Sequence, residues 1–264
     1  MFKYSNTNKR YHTLDYYYKN KYGKKIMKIS LNGNFTCPNL DGTVGYGGCI
    51  YCSKTGSGEF AGNITDSIEE QFEKIKNKMH EKWKEGSYIA YFQARTNTYA
   101  PIEKLKKLYE TAISQDNVVG INIATRPDSI TNECLDYLEE LNTRTDVTIE
   151  LGLQTIKEET SKLINRCHTL ECFEKMVKSL RKRKIPVVVH IINGLPYETK
   201  EEYIDIVTTQ LEYLRPEIVI HRITGDPDKD ELIEPKWLIK KFCVLNDIDK
   251  EMKKRNTWQG KSVE

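Results

Sequence analysis

Six short runs rich in β-branched and aromatic residues recur along this chain, most of them followed by a stretch of helical periodicity. They are KIMKISLN (25–32), YIAYFQ (88–93), VGINIAT (119–125), TIELGLQ (148–154), VVVHIING (187–194) and EIVIHRIT (217–224). Several are apolar almost throughout, the pattern of parallel strands covered on both faces rather than of half-solvated ones. The segments between them are amphipathic. Ile68, Phe72, Ile75, Met79 and Trp83 share one face of a helix expected over 66–85, with Asp66 placed to cap it and Gly86 to stop it. Pro101 suits the first turn of the next helix, which runs through Leu105, Leu108 and Ala112. Further helices are expected at 131–142, 157–184 (broken near Cys167), 198–214 and 235–255, the last with Leu238, Phe242, Leu245, Ile248 and Met252 on one stripe. Strand–helix alternation with right-handed crossovers builds a parallel sheet that curls towards a barrel. Six strands are fewer than the eight that close one, so the expected fold is α/β, an open, partial β/α barrel of about six parallel strands.

Chemistry in such a fold sits at the C-terminal ends of the strands. QARTNTYAP, TRPD, Gln154-Thr155 and NGLPYE each follow their own strand and are expected at that mouth. So is the loop after the first strand, FTCPNLDGTVGYGGCIYC (35–52), which gathers Cys37, Cys49 and Cys52 with several glycines. No Pro/Gly-rich linker divides the chain. The 264 residues are therefore expected to form a single domain, with 1–24 as an N-terminal extension and 226–264 as a C-terminal helix and tail. No apolar stretch approaches a membrane span and the N-terminus has no signal-peptide core, so a soluble, cytoplasmic protein is expected. With 41 basic and 38 acidic residues the charge neither demands nor excludes a nucleic-acid partner. The basic runs KKIMK, KNKMHEKWK and RKRK read first as solvated helix faces.

Seven cysteines are an odd count in a reducing compartment, which favours metal or catalytic use over a disulfide framework. A structural zinc is closed by four ligands, commonly as two CxxC-like pairs, whereas this loop has one such pair and a single cysteine twelve residues before it. Cys134, Cys172 and Cys243 read as small core residues, and Cys167 lies nearer the mouth. A [4Fe–4S] cluster is the other option: held by three thiolates, it keeps one iron open to an exogenous ligand. Glycines at 42, 45, 47 and 48 let the backbone wrap closely around a bulky inorganic core.

The loop resembles the cluster loop of the radical S-adenosylmethionine (SAM) superfamily. The common spacing there is tighter, and the longer C-x11-C-x2-C form is similar to a bacterial radical SAM family related to the elongator catalytic subunit. RYHTLDYYYKNKYGKK, CPNLDGTVGYGGCIYCS, GSGEFAG, AYFQARTNTYAP, INIATRPDSI, ELGLQT, LINRCH, HIINGLP, IVIHRITGD and VLNDIDKEMKKRNTWQGK carry the resemblance along essentially the whole chain. It implies a [4Fe–4S] cluster on Cys37, Cys49 and Cys52, with SAM chelated at the open iron. An electron donor such as flavodoxin or ferredoxin would drive cleavage of SAM to methionine and a 5′-deoxyadenosyl radical, which abstracts hydrogen from a substrate.

By the same resemblance Tyr51 lies near the adenine, Gln154 and Arg166 bind the carboxylate or ribose of SAM, and His190 occupies a position used at the ribose. Gly194-Leu195-Pro196 let the backbone approach the adenine. Gln93, with Thr96, Asn97 and Tyr99, lines the methionine end. Glu150, costly to bury alone, takes either a site role or a buried pair with Arg126; a core role for His190 stands beside the site role. His221, Arg222, Thr224, Gly225 and Asp226 are candidates for substrate contact. Two departures accompany the likeness. Tyr197 and Cys167 stand where the family has glycines, and a βα unit of roughly 30 residues or more is missing after GLPYET. The implied substrate class is tRNA, at a wobble uridine; a catalytically defective, metal-stabilised RNA-binding or scaffold protein is the alternative.

Overall fold

Strands β1 (Ile26–Leu31), β2 (Ser87–Phe92), β3 (Val118–Thr125), β4 (Asp146–Gln154) and β5 (Val187–Ile191) form one parallel sheet whose spatial order is the chain order. The computed structural model describes residues 2–194, 199–225, 230 and 232–263, and they divide into two compact units, 27–191 and 1–26 with 192–264. In the first unit each crossover moves one place in the same direction, so right-handed connections put every helix on one face of the sheet. Helices α2 (Ile68–His80), α3 (Ile102–Ile113), α4 (Asn132–Leu141) and α6 (Leu170–Lys182) supply that layer.

Alternate strand residues meet those helices: Ile29 and Leu31, Ala90 and Phe92, Ile121 and Ile123, Ile149 and Leu151 pack against Phe72, Leu105, Tyr109, Leu138 and Leu180. Residues of the other parity point the opposite way. They are polar where the first set is apolar: Lys28, Tyr91, Asn122, Glu150 and His190. The helix-facing layer holds the fold, each fully buried large side chain contributing about 1.5–3 kcal/mol, and it leaves the second face for chemistry.

Among the described residues five strands form where about six were expected. The run 217–224 makes only an isolated bridge, Ile220 to Thr13. The amide of Gln259, a fully buried side chain, donates to Arg215 O at 2.9 Å and Ile218 O at 2.8 Å. Those carbonyls are then closed to a strand ladder. The second unit is helical: α1 (Leu14–Tyr22), α7 (Lys200–Tyr213) and α8 (Lys241–Lys254). Tyr11, Tyr203, Val207, Leu211, Val244, Ile248 and Met252 form its core.

Helix boundaries differ from expectation in physical detail. Ser67, not Asp66, caps α2, in a reciprocal capping box with Glu70, while Asp66 pairs with Lys74 at 2.8 Å. The helix stops at His80, short of Gly86. A break at Cys167 is present, separating α5 (Glu158–Leu163) from α6. In α8 the buried stripe is Val244, Ile248 and Met252, and Phe242 is 78% exposed. Cys134 is buried as expected, Cys172 is half-buried, and Cys243 is exposed rather than in the core. Among the described residues no helix is long and apolar enough to cross a membrane.

Candidate functional site

The loop after β1 turns back on itself through short backbone hydrogen bonds. Leu40 N and Asp41 N both donate to Cys37 O, Gly48 N donates to Asn39 O at 2.8 Å, and Cys52 N donates to Cys49 O at 3.0 Å. Gly48 is left-handed, at φ 75°, a conformation that a side chain disfavours. Cys37 is half-buried, Cys49 buried and Cys52 exposed; all three thiols are unbridged. The Cys49 thiol is lowered to about 6, first by the hydrogen bond with Cys52, then by Tyr51 and Asn39 and by the charge of Arg126. Cys52 is raised, chiefly by the same shared hydrogen bond. The two shifts have opposite signs because the thiols share one hydrogen bond, which favours the charged form at Cys49 and the neutral form at Cys52. Tyr51 is pushed well up by burial and by the adjoining thiols, so its phenol stays protonated against Cys49.

Neighbouring strand ends are stitched to this loop. Gln93 N donates to Leu31 O, and its side chain donates to Ser57 O at 2.8 Å. Thr96 N donates to Thr36 O, and the hydroxyls of Thr43 and Tyr99 lie 2.8 Å apart. From the far side, Ile50 N donates to Ile164 O at 3.2 Å. Gln154 ends β4 in the left-handed region, at φ 64°, with its amide folded over Gly152, where a methyl group would lie 2.6 Å from Nε2.

Arg166 is 1% exposed. Its guanidinium donates to Leu153 O, to Thr155 O at 2.6 Å and to His168 O at 2.8 and 3.1 Å. It clamps the β4 end to the turn before α6, so the fork that the resemblance assigns to a SAM carboxylate faces backbone carbonyls here. The pairing of Glu150 with Arg126 is not formed. Arg126 forks onto Asp128 at 2.6 and 2.9 Å, while Glu150, 3% exposed, accepts from Lys28 and Asn122 at 2.6 Å each and meets His190 Nε2 at 2.8 Å. His190 is half-exposed on the polar face and is no core histidine.

Gly194 belongs to the other unit, at φ 80° beside Tyr203 and Trp237. Leu195, Pro196, Tyr197 and Asp226 lie outside the described residues. His221, Arg222, Thr224 and Gly225 fall in the helical unit, with Thr224 buried. Sequence reasoning missed Lys28, Asn122, Asn39 and Asn165. The signal for the first two was present, since each is a polar residue inside a mostly apolar strand run, on the parity opposite the core.

Residues 45–209 match the Radical SAM superfamily, and residues 194–254 match the Radical_SAM C-terminal domain. The chain belongs to the radical SAM superfamily. It is similar to the uncharacterized protein YtqA of Bacillus subtilis, at 46% identity over 305 aligned positions that cover 98% of this chain and 95% of that one. Protein YhcC of Escherichia coli is 30% identical, with 92% of both chains covered. A tRNA uridine(34) acetyltransferase of Methanocaldococcus infernus is 30% identical over 95 residues, 36% of this chain and 17% of that protein. Among solved structures, the Methanocaldococcus infernus Elp3 with an N-terminal deletion aligns with a TM-score of 0.47 at 17% identity, over 89% of this chain and half of that one. The YtqA alignment has 305 positions against the 264 residues of this chain, so at least 41 positions of that radical SAM relative have no counterpart here.

Membership implies an iron–sulfur cluster and SAM, and the donors of this radical SAM loop suit the cluster in kind. They are three unbridged thiols, one of them readily a thiolate, beside a buried amide donor. Among the described residues no three Cys, His, Asp or Glu side chains are grouped to hold a single ion. A tetrahedral zinc needs its ligands close around one centre; a cluster several atoms across takes its thiolates further apart.

Proposed function

We propose that this chain is a radical SAM enzyme that holds a [4Fe–4S] cluster through Cys37, Cys49 and Cys52, binds SAM at the C-terminal edge of the sheet, and acts on a tRNA uridine. The observation that carries the reading is the cysteine loop: three unbridged thiols after β1, with the buried sulfur of Cys49 receiving hydrogen bonds from its surroundings. Cys37, Cys49 and Cys52 would hold the cluster, which would supply one-electron reducing chemistry to SAM bound beside it.

The chain's own residues then bind, orient and shield. Gln93 fixes the rear of the loop through Ser57 O. Gln154 and Tyr51 are the polar contacts assigned to SAM beside the cluster. Glu150 and His190, with Lys28 behind them, offer fixed charge and a half-exposed imidazole on the polar face. Arg166 acts as the clamp of the β4 turn. A small protein electron donor of the flavodoxin or ferredoxin class is the proposed reductant. The uridine assignment draws on the elongator likeness and on the name of the archaeal acetyltransferase; the match covers 17% of that protein, and acetyl transfer is not carried over.

A second reading, a metal-stabilised RNA-binding protein without catalysis, draws on the engaged Arg166 fork and the 41 unmatched positions. Anaerobic reconstitution with iron and sulfide, reduction with dithionite and assay of 5′-deoxyadenosine separate the two. Nucleoside formed by the wild type and not by a Cys37/Cys49/Cys52→Ala variant supports the enzyme. A cluster that leaves SAM intact refutes the cleavage step, and zinc without a cluster establishes the second reading.

A further inference from the structure

Asn39 is fully buried two residues after the first cysteine. One end of its amide lies 2.6 Å from Asn165 O. A carbonyl only accepts, so that end is the NH2 group, and the orientation of the amide is fixed by chemistry. The same Nδ2 lies 3.5 Å from Cys49 Sγ. One hydrogen goes to the carbonyl and the other to the sulfur. Asn39 Oδ1 is buried with no hydrogen-bond partner; it is turned to Gly45, where a methyl group would lie 2.3 Å away. Asn165 completes the bracket from the other side. Its Nδ2 donates to Gly48 O at 2.8 Å and Tyr46 O at 3.1 Å, and its Oδ1 accepts from the Cys167 thiol at 3.2 Å.

Asn39 keeps its buried Oδ1 unpaired at a cost of about 1–3 kcal/mol. In return its NH2 group serves Asn165 O and aims a second N–H at the Cys49 sulfur. We infer that Asn39 sets the electron affinity of the cluster through an N–H···S hydrogen bond to Cys49, with Asn165 as the positioning residue that keeps the donor aimed. The inference rests on the reading of Cys49 as a cluster ligand. Reduction adds negative charge that spreads onto the thiolate sulfurs. A fixed donor stabilises the reduced form more than the oxidised one, and hydrogen bonds to sulfur are among the factors that set cluster potentials.

The test is an anaerobic redox titration of the reconstituted protein, followed by electron paramagnetic resonance, with iron and sulfide quantified. Wild type is compared with Asn39→Leu, Asn39→Asp and Asn165→Ala. Both Asn39 variants are expected to become harder to reduce by about tenfold in the equilibrium, which is about 59 mV for a one-electron couple. Asn39→Asp, of the same shape but with no N–H and an added charge, shifts furthest. Asn165→Ala shifts less and loses iron. A wild-type cluster together with Asn39 variants that bind iron at an unmoved midpoint overturns the inference alone. Asn39 variants that hold no iron at all also overturn it, because the role of Asn39 is then structural. A wild type that assembles no cluster removes the inference and the proposed function together.

Discussion

Replacing Lys28 with methionine should cost more than any other single change on the polar face of the sheet. The side chain of Glu150 is 2% exposed and that of Lys28 22%. The ammonium stands 2.6 Å from Oε1 and 4.5 Å from the centre of the Tyr91 ring. At an effective dielectric constant of about 20 the gross attraction at that separation is about 6 kcal/mol, much of it offset by desolvation. Removing one partner from a buried pair costs about 3–5 kcal/mol. Asn122 and His190 still donate to the carboxylate, so about 2–4 kcal/mol is expected for Lys28→Met. Adding Glu150→Gln to Lys28→Met removes the stranded charge while keeping an acceptor for Asn122. The double variant should therefore recover most of the loss, a coupling of about 2 kcal/mol. Urea unfolding reads this cleanly through Trp83, which packs on the sheet core, in a background with Trp237 and Trp258 changed to Phe. A loss below about 0.5 kcal/mol for Lys28→Met, or a double variant whose losses simply add, would falsify the charge clamp.

Three further outcomes follow from the same geometry. Arg166→Met and Arg166→Lys should each cost about 2–4 kcal/mol in urea unfolding, since neither can fork onto the three carbonyls that the guanidinium now serves; a stable Arg166→Lys that loses only SAM affinity refutes the clamp. The His168 imidazole is lowered to about 4, first by burial and then by Arg166 and Arg126, so it stays neutral in the fold while the unfolded chain takes up a proton below its ordinary 6.5. Stability should fall by on the order of 2 kcal/mol, after allowance for solvent screening, as pH drops from 6.5 to 4, and His168→Gln should flatten that slope. Gln259→Ala strands His12 N and Ile218 O, while Arg215 O keeps Ile218 N as a donor, and should cost about 2–4 kcal/mol, read by the fluorescence of Trp237 and Trp258; a smaller loss than 0.5 kcal/mol means water replaces the amide.

Strands and helices of the 27–191 unit were legible because their periodicities are strong and agree with their ends. The sixth strand was not. EIVIHRIT has the composition of a strand, but composition cannot show that a glutamine some forty residues later takes its carbonyls. The cysteine loop and the polar residues at the strand ends were legible as residue types at the expected places. Their partners were not: Glu150 has two cations within plausible reach in sequence terms, and only the folded sheet, which sets Lys28 of β1 at 2.6 Å from the carboxylate, decides for Lys28 over Arg126. Arg166 shows the same limit from the other side. An arginine before a turn suits a carboxylate or a set of carbonyls equally well, and only burial separates the two.

The sheet of the 27–191 unit ends at β5, where the family likeness implied one more βα unit. Val189 and Ile191 on β5 are 44% and 49% exposed, an uncommon state for β-branched residues on a strand flanked by a covered sheet. Every residue assigned to the cluster, and the bracket of Asn39 and Asn165, lies on the β1 and β4 side of that edge. His190 alone among the charge-clamp residues sits on β5 itself. Shortening of the chain after β5 therefore bears on how a ligand is enclosed against the polar face and leaves the cysteine loop with all of its supports. On the proposed reading, cluster assembly and SAM cleavage should be separable by experiment. The loop predicts the first from contacts that are complete within residues 30–168, and the second depends on what closes the face beside His190.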